Sequence, residues 1–158
     1  MKRRILFLIL IVCLFISGCS NGFAKREYNS DDKIAKKEDH YAKQNSVFNP
    51  IVGGCRLTVG EFDGRETLWT FMAEEEQEME VSIYLSLSSG QVKIVYIDAG
   101  GTITNLLEST TEGTVGIAET KNVLLKNGEN RFKVVGYDCR DLDVELLFDG
   151  IRREYKGL

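Results

Sequence analysis

Residues 47–158 predict an all-β domain, an antiparallel β-sandwich of jelly-roll-like form with about eight strands. Three observations carry this. Short runs rich in Val, Ile, Thr, Leu, Tyr and Phe are separated by Gly, Asp, Asn and Ser, the pattern of strands joined by tight turns. Several runs alternate apolar and polar residues with period two, so each buries one face. No strong amphipathic helix lies between them, which favours a sandwich or barrel over a βαβ fold.

The elements follow in order. Residues 56–62 form a first strand, ended by Asp63 and Gly64, and residues 66–73 form a second. In residues 78–88, Val81, Ile83, Leu85 and Leu87 share one face, while Ser82, Tyr84, Ser86 and Ser88 share the other. Glu74, Glu75, Glu76 and Glu78 within residues 71–80 favour helix by propensity, but the setting between two strands reads as an acidic hairpin tip. Ser88, Ser89 and Gly90 turn the chain into residues 92–98. Ala99, Gly100 and Gly101 turn it again into 102–107. A looser stretch holds Gly113 and Gly116. Residues 122–125 lead to Lys126-Asn127-Gly128-Glu129, a hairpin signal because Asn-Gly accepts positive φ. Residues 131–136 and 142–148 close the domain, the latter with Leu142, Val144, Leu146 and Phe148 on one face.

The N-terminus is organised differently. Lys2, Arg3 and Arg4 precede an unbroken apolar run over 5–16, then Ser17, Gly18 and Cys19. A basic start, a short apolar run and a small-residue end are the parts of a secretory signal. The run is well short of the about 20 residues a membrane span needs. Ile16-Ser17-Gly18-Cys19 resembles the lipobox of bacterial lipoproteins. That resemblance implies cleavage after Gly18 and attachment of diacylglycerol, with palmitate-class chains, to the Cys19 thiol. The expected location is extracytoplasmic, lipid-anchored to a cell membrane, with residues 1–18 as signal peptide. Two acyl chains make a stable anchor where one does not.

Residues 19–46 follow as the lipidated cysteine and a tether. Residues 20–46 hold six basic and five acidic groups with sparse, unpatterned apolar residues. A segment of that composition predicts a solvated, flexible leash, with transient helix around 32–43. His40, the single histidine, falls in it.

Composition excludes some functions. Removal of residues 1–18 leaves 17 basic against 24 acidic residues. A net acidic chain does not suit nucleic acid, nor electrostatic attachment to anionic lipid, which uses basic clusters. Cys55 and Cys139 remain beyond Cys13 and Cys19, and an even pair in an oxidising compartment suggests a disulfide; two separate thiols is the alternative. There is no CxxC motif or Cys/His cluster for zinc.

Catalysis finds little support. There is no GxSxG elbow, no phosphate-binding loop, and the lone histidine is in the tether, so no enzyme activity and no cofactor are expected. Asp138, Asp141 and Asp143 share one turn, compatible with calcium or with a solvated acidic turn. Trp69 and Phe71 read as core. Tyr84, on the serine-rich face, is the ring most exposed to a ligand, with Tyr96 and Tyr137 as further candidates. The glutamates at 74–76, 78 and 80 read as a solvated loop or a docking surface for a basic partner.

The phrase Leu124-Leu125-Lys126-Asn127-Gly128-Glu129-Asn130-Arg131-Phe132-Lys133-Val134-Val135-Gly136, with Phe62-Asp63-Gly64, Leu68-Trp69 and residues 90–95, resembles uncharacterised small β-sandwich lipoproteins of low-GC Gram-positive bacteria. The strand, Gly turn, Asn and strand also resemble carbohydrate-binding jelly rolls, more weakly. The first resemblance covers residues 55–149 and carries no site motif, so it speaks to fold. The function expected from the whole sequence is a non-catalytic binding or interaction domain at the cell surface, with a carbohydrate-binding module or a small hydrolase as alternatives. Its partner would be an envelope protein or a glycan.

Overall fold

A computed structural model describes residues 21–110 and 115–149. Two helices come first, α1 (Asn21–Tyr28) and α2 (Asp31–Ile34). Seven strands follow among the described residues: β1 (His40–Ile51), β2 (Gly54–Ala73), β3 (Gln77–Leu87), β4 (Ser89–Ile97), β5 (Ile103–Ser109), β6 (Val115–Leu125) and β7 (Gly128–Asp149). Every pairing is antiparallel.

The sandwich is made by two long strands that pass through both layers. Residues 54–62 of β2 and 139–149 of β7 join β1, β3 and β6 in a first sheet, ordered β1-β2-β7-β3-β6. Residues 64–73 of β2 and 128–137 of β7 join β4 and β5 in a second. The change of layer falls where β2 slips register between Phe62 and Gly64. A bulge bends a strand and raises its twist. Opposite it, Asp138 adopts φ 55, a left-handed conformation that Asp tolerates better than most residues. The Asp63 carboxylate accepts the Asp138 N–H at 2.7 Å and ties the two bends together. Gly64, at φ 112, completes the corner; a Cβ there would lie 2.2 Å from the His40 carbonyl oxygen.

Between the layers lies one apolar core. Leu57, Val59, Phe62, Val81, Ile83, Leu85, Leu87, Ile94, Val134, Leu142, Val144 and Leu146 are buried in it. These are the period-two apolar positions of the sequence. Trp69 and Phe71 pack against the core from its margin, with Phe71 4.9 Å from Phe148 between ring centroids.

Four differences from the sequence reading have physical reasons. The first is strand count. Residues 56–62 and 66–73 are one strand, as are 131–136 and 142–148, because the ladder continues through bulged corners whose residues look like turns.

The second is the Asn127-Gly128 turn. Gly128 does take positive φ, but β6 pairs with β3 while β7 pairs with β2 and β4, so the turn crosses between layers instead of closing a hairpin. Buried Asn130 holds it. Its amide donates to the Lys126 and Gly128 carbonyls, at 2.7 and 2.9 Å, and its oxygen accepts the Lys126 N–H at 3.0 Å.

The third is the tether. Over residues 21–46 it is replaced by α1, α2 and the first half of β1. Ala24, Glu27, Tyr28 and Ile34 are buried. Tyr28 and Ile34 pack on Val95, Ile97 and Val135, which are the outward-facing apolar positions of the second sheet. Residues 21–39 thus form a strap over that sheet, and charges far away in sequence fasten it. Glu27 pairs with buried Arg65 and lies 3.0 Å from Lys33 and 3.6 Å from the His40 ring. Fully buried Lys133 donates to the Lys36 carbonyl at 2.8 Å and to Asp39 at 2.9 Å. Arg131 donates to the carbonyls of Ala35 and Lys36. Tyr28 bonds Glu108 through its hydroxyl.

The fourth is the disulfide. Cys55 and Cys139 are both buried free thiols. Cys139 sits opposite Phe62 in the β2–β7 ladder, seven residues along β2 from Cys55. Seven residues of strand span about 23 Å, whereas a disulfide needs Cα atoms within about 7 Å. Burial pushes both thiols from 9.0 up to about 12.

Candidate functional site

The strap covers the outer face of the second sheet. The outer face of the first sheet is open, and it carries the candidate site. Alternation builds it. With Val81, Ile83 and Leu85 turned inward, Ser82, Tyr84 and Ser86 of β3 turn outward. With Leu142, Val144 and Leu146 inward, Asp143, Glu145 and Leu147 of β7 turn outward beside them. The ladder sets Tyr84 opposite Glu145 on one side and Ala118 of β6 on the other, and Ser82 between Leu147 and Thr120.

A shallow open depression of 260 Å³ is lined by Ser82, Ile83, Tyr84, Ala118, Glu119, Thr120, Glu145 and Leu147. Tyr84 and Leu147 are exposed there, at 40% and 38%. The Tyr84 ring leans toward β6, where Gly116 and Ala118 place no bulk against it; a Cβ on Gly116 would come within 3.5 Å of the Tyr84 hydroxyl. Ser82 and Thr120 hydroxyls lie 3.2 Å apart. Beyond Glu145, Arg56 of β2 makes a two-pronged bond to Asp143, at 2.9 and 2.6 Å, and approaches Glu145 at 3.8 Å. The pair with Asp143 raises the Arg56 guanidinium further above its ordinary value.

This face therefore offers one aromatic ring, two hydroxyls, a guanidinium and carboxylates on a rigid sheet. A ring stacks on apolar C–H surface, and the polar groups around it accept and donate hydrogen bonds. Their spacing is fixed by strand geometry, which places sites more firmly than loops do.

The other sequence candidates are dispersed. Tyr96 is buried; its hydroxyl lies 2.6 Å from Asn130 Oδ1 and 2.8 Å from the Leu124 carbonyl, so it is part of the core and not open to a ligand. Burial raises its phenol to about 12. Tyr137 packs edge-on against Tyr28 beneath the strap, with centroids 5.1 Å apart. Asp138, Asp141 and Asp143 do not converge. Asp138 caps the layer-changing corner, Asp141 accepts the Ser88 hydroxyl at 2.8 Å, and Asp143 is held by Arg56. Among the described residues no group of three or more His, Cys, Asp or Glu could hold a metal. Cys19 lies outside the described residues.

Arg56, Thr120, Glu145 and Leu147 are the members of the face that sequence reasoning missed. The alternation of 142–148 is visible in the sequence and marks which of its residues point outward. That β7 lies beside β3, bringing Glu145 to Tyr84, depends on topology that alternation does not encode.

No protein-family model matches the chain, and no curated protein does. Solved structures give low-level likenesses. A carbohydrate-binding module from Cellvibrio mixtus lichenase 5A, in complex with cellotriose, matches with TM-score 0.41 and 8% identity, over 72% of this chain and 91% of that one. A family 35 carbohydrate-binding module from Clostridium thermocellum matches at 0.39 and 13%, over 70% and 92%. The CBM35 from Cellvibrio japonicus Abf62 matches at 0.36 and 16%, over 73% and 83%. Likenesses at these scores and identities assign no residue of this chain a role.

Proposed function

We propose that this chain is a non-catalytic binding domain held on an extracytoplasmic membrane surface by lipid on Cys19, with its ligand taken on the outer face of the first sheet around Tyr84. The observation that carries the binding half is the asymmetry of the sandwich. One outer face is sealed by the strap, while the other leaves an aromatic ring and a set of polar groups open. The anchor half rests on the Ile16-Ser17-Gly18-Cys19 sequence and on an apolar run too short to span a bilayer. No helix among the described residues is long and apolar enough to cross a membrane.

The anchor is tested by Cys19→Ala. The substituted chain should leave the membrane fraction or stay unprocessed, and should take up no radiolabelled palmitate. Processing and membrane partitioning equal to the parent would sink this half.

Of ligand classes, the chemistry around Tyr84 favours a glycan over a protein. A single ring flanked by the Ser82 and Thr120 hydroxyls and by Glu145 and Arg56 suits a sugar, which presents an apolar C–H face and hydroxyls on its rim. A protein hot spot would need a larger desolvated apolar centre. A glycan array probed with the lipid-free chain should show binding that Tyr84→Ala weakens at least about tenfold, the scale of 1.4 kcal/mol, with the urea midpoint unchanged. Empty arrays combined with specific recovery of an envelope protein would shift the reading to protein interaction.

A further inference from the structure

The strap changes where the domain stands relative to its anchor. We infer that the domain is seated directly on the bilayer with the strap side down, so that the strap lies between lipid headgroups and the second sheet while the Tyr84 face points away from the membrane. This rests on the reading of Cys19 as the lipid site.

Three observations carry it. The first is chain length. α1 begins at Asn21, two residues beyond Cys19. Two residues of extended chain reach about 7 Å. A leash of 27 residues would let the domain wander; a separation of two residues from a docked helix does not. The second is that α1 is fixed to the domain and not merely adjacent to it. Ala24, Glu27 and Tyr28 form its buried side, and the Glu27–Arg65 pair, the Tyr28–Glu108 bond and the Tyr28–Tyr137 ring contact hold it. Wherever the lipid puts Asn21, the sandwich must follow.

The third is which surface this turns toward the bilayer. Gly22, Lys25 and Arg26 make the solvent side of α1, exposed Asn29 follows it, and Lys36 and Lys37 are exposed on the return of the strap. Exposed Asp31, Asp32 and Glu38 share the strap with these cations, so its outer surface carries both signs, while Glu27 is paired with Arg65 and Glu108 with Tyr28. Charge neither holds nor orients the domain: the acyl chains hold it, and the short connection to the docked α1 sets which side faces them. The Tyr84 face lies on the other sheet of the sandwich, a sheet-to-sheet spacing of about 10 Å further out.

The test uses the mature acylated chain reconstituted in vesicles of phosphatidylethanolamine and phosphatidylglycerol. Lysines are acetylated briefly and read by mass spectrometry, with a soluble Cys19→Ser chain as the unprotected reference. Lys25 and Lys36 should lose reactivity several-fold on vesicles, while Lys121, at the β6 edge of the first sheet, keeps it. Insertion of a Gly/Ser linker between Ser20 and Asn21, of about 24 residues and about 25–30 Å reach, should restore Lys25 and Lys36. A chain that floats with vesicles and carries acyl groups on Cys19, yet shows Lys25 and Lys36 fully reactive, overturns the seating and leaves the anchor standing. Protection that survives the linker overturns the role given to the short connection. Mass spectrometry that finds Cys19 without acyl groups overturns the anchor reading, and the seating with it.

Discussion

Cys55 and Cys139 are worth most as reporters of how the fold treats single groups. Each thiol is buried by strand packing, and loss of water is the main cause that lifts it from 9.0 to about 12. Linkage fixes the sign. Below pH 9 both folded and unfolded chains keep the proton, so the full stability is present. Between pH 9 and 12 the unfolded thiols release protons that the folded ones retain, so stability falls as pH rises, by about 1 kcal/mol per pH unit for each thiol. Tyr28 is also raised by burial and by its bond to Glu108, and it adds to the loss above its ordinary 10.0. The urea midpoint should be flat from neutral pH to about 9 and drop beyond it, and Cys139→Ala should remove its own share of the slope. The same thiols should react with Ellman's reagent only after unfolding, with no change in midpoint on adding reductant. Rapid reaction of the native chain would contradict the burial. A cysteine pair in a secreted chain legitimately suggests a bridge, but pairing is decided by register, and register sets Cys139 seven positions along β2 from Cys55.

At the scale of elements the strap is where folding depends on buried charge. Glu27 and Arg65 are 3% and 5% exposed as side chains, and Lys133 is fully buried. Removing one member of a buried pair leaves the other desolvated without its partner, which costs about 3–5 kcal/mol, while replacing both with apolar groups is far less costly. Glu27→Ala should therefore lower stability by about that amount, Lys133→Ala should act in the same direction, and the Glu27→Leu, Arg65→Met double variant should recover most of the loss. Urea unfolding measures this; hydrogen exchange across residues 21–39 should rise in the single variants first. Equal costs for the single and double variants would show that the pair is not coupled. Burial also lowers Lys133 and Arg65 from their ordinary values, opposing the charge that Asp39 favours at Lys133. This element was the least legible in the sequence. Among the described residues Ala24, Tyr28 and Ile34 are its buried apolar side chains, and its fastenings are Arg65, Arg131 and Lys133, remote in the chain. Its even mixture of charges looks solvated because the partners of those charges are not local. β1 was missed for a related reason. It is an edge strand, largely exposed, with a positive-φ residue at Asn45 and a proline at Pro50. Both features belong to edges that must not pair further, and both erase the alternation by which strands are recognised.

For the whole molecule, the core was legible and the boundary was not. Period-two alternation in 78–88 and 142–148 already separates the buried residues from the Tyr84 face, and those positions are the ones that meet between the sheets. It says nothing about Val95, Ile97 and Val135, which are apolar on the opposite face of the second sheet and need a cover. A continuous apolar run such as 94–97 marks a strand buried on both faces, so it calls for a cover of this kind. This bears on where a stable fragment begins. A chain starting at Val47 loses the strap and residues 40–46 of β1. It exposes those three side chains, leaves Arg65 and Lys133 without Glu27 and Asp39, and opens the edge of β2 from Val59 to Arg65. Each fully buried aliphatic side chain contributes about 1.5–3 kcal/mol, and the unpaired charges add their own cost, against a total stability of about 5–15 kcal/mol for a domain. The loss is of the same order as the total. A chain starting at Asn21 should unfold cooperatively in urea and elute as a monomer, whereas one starting at Val47 should bind a hydrophobic dye and aggregate, or remain unfolded. Matching urea midpoints for the two would mean that the strap only rests on the sheet and that the domain folds without it.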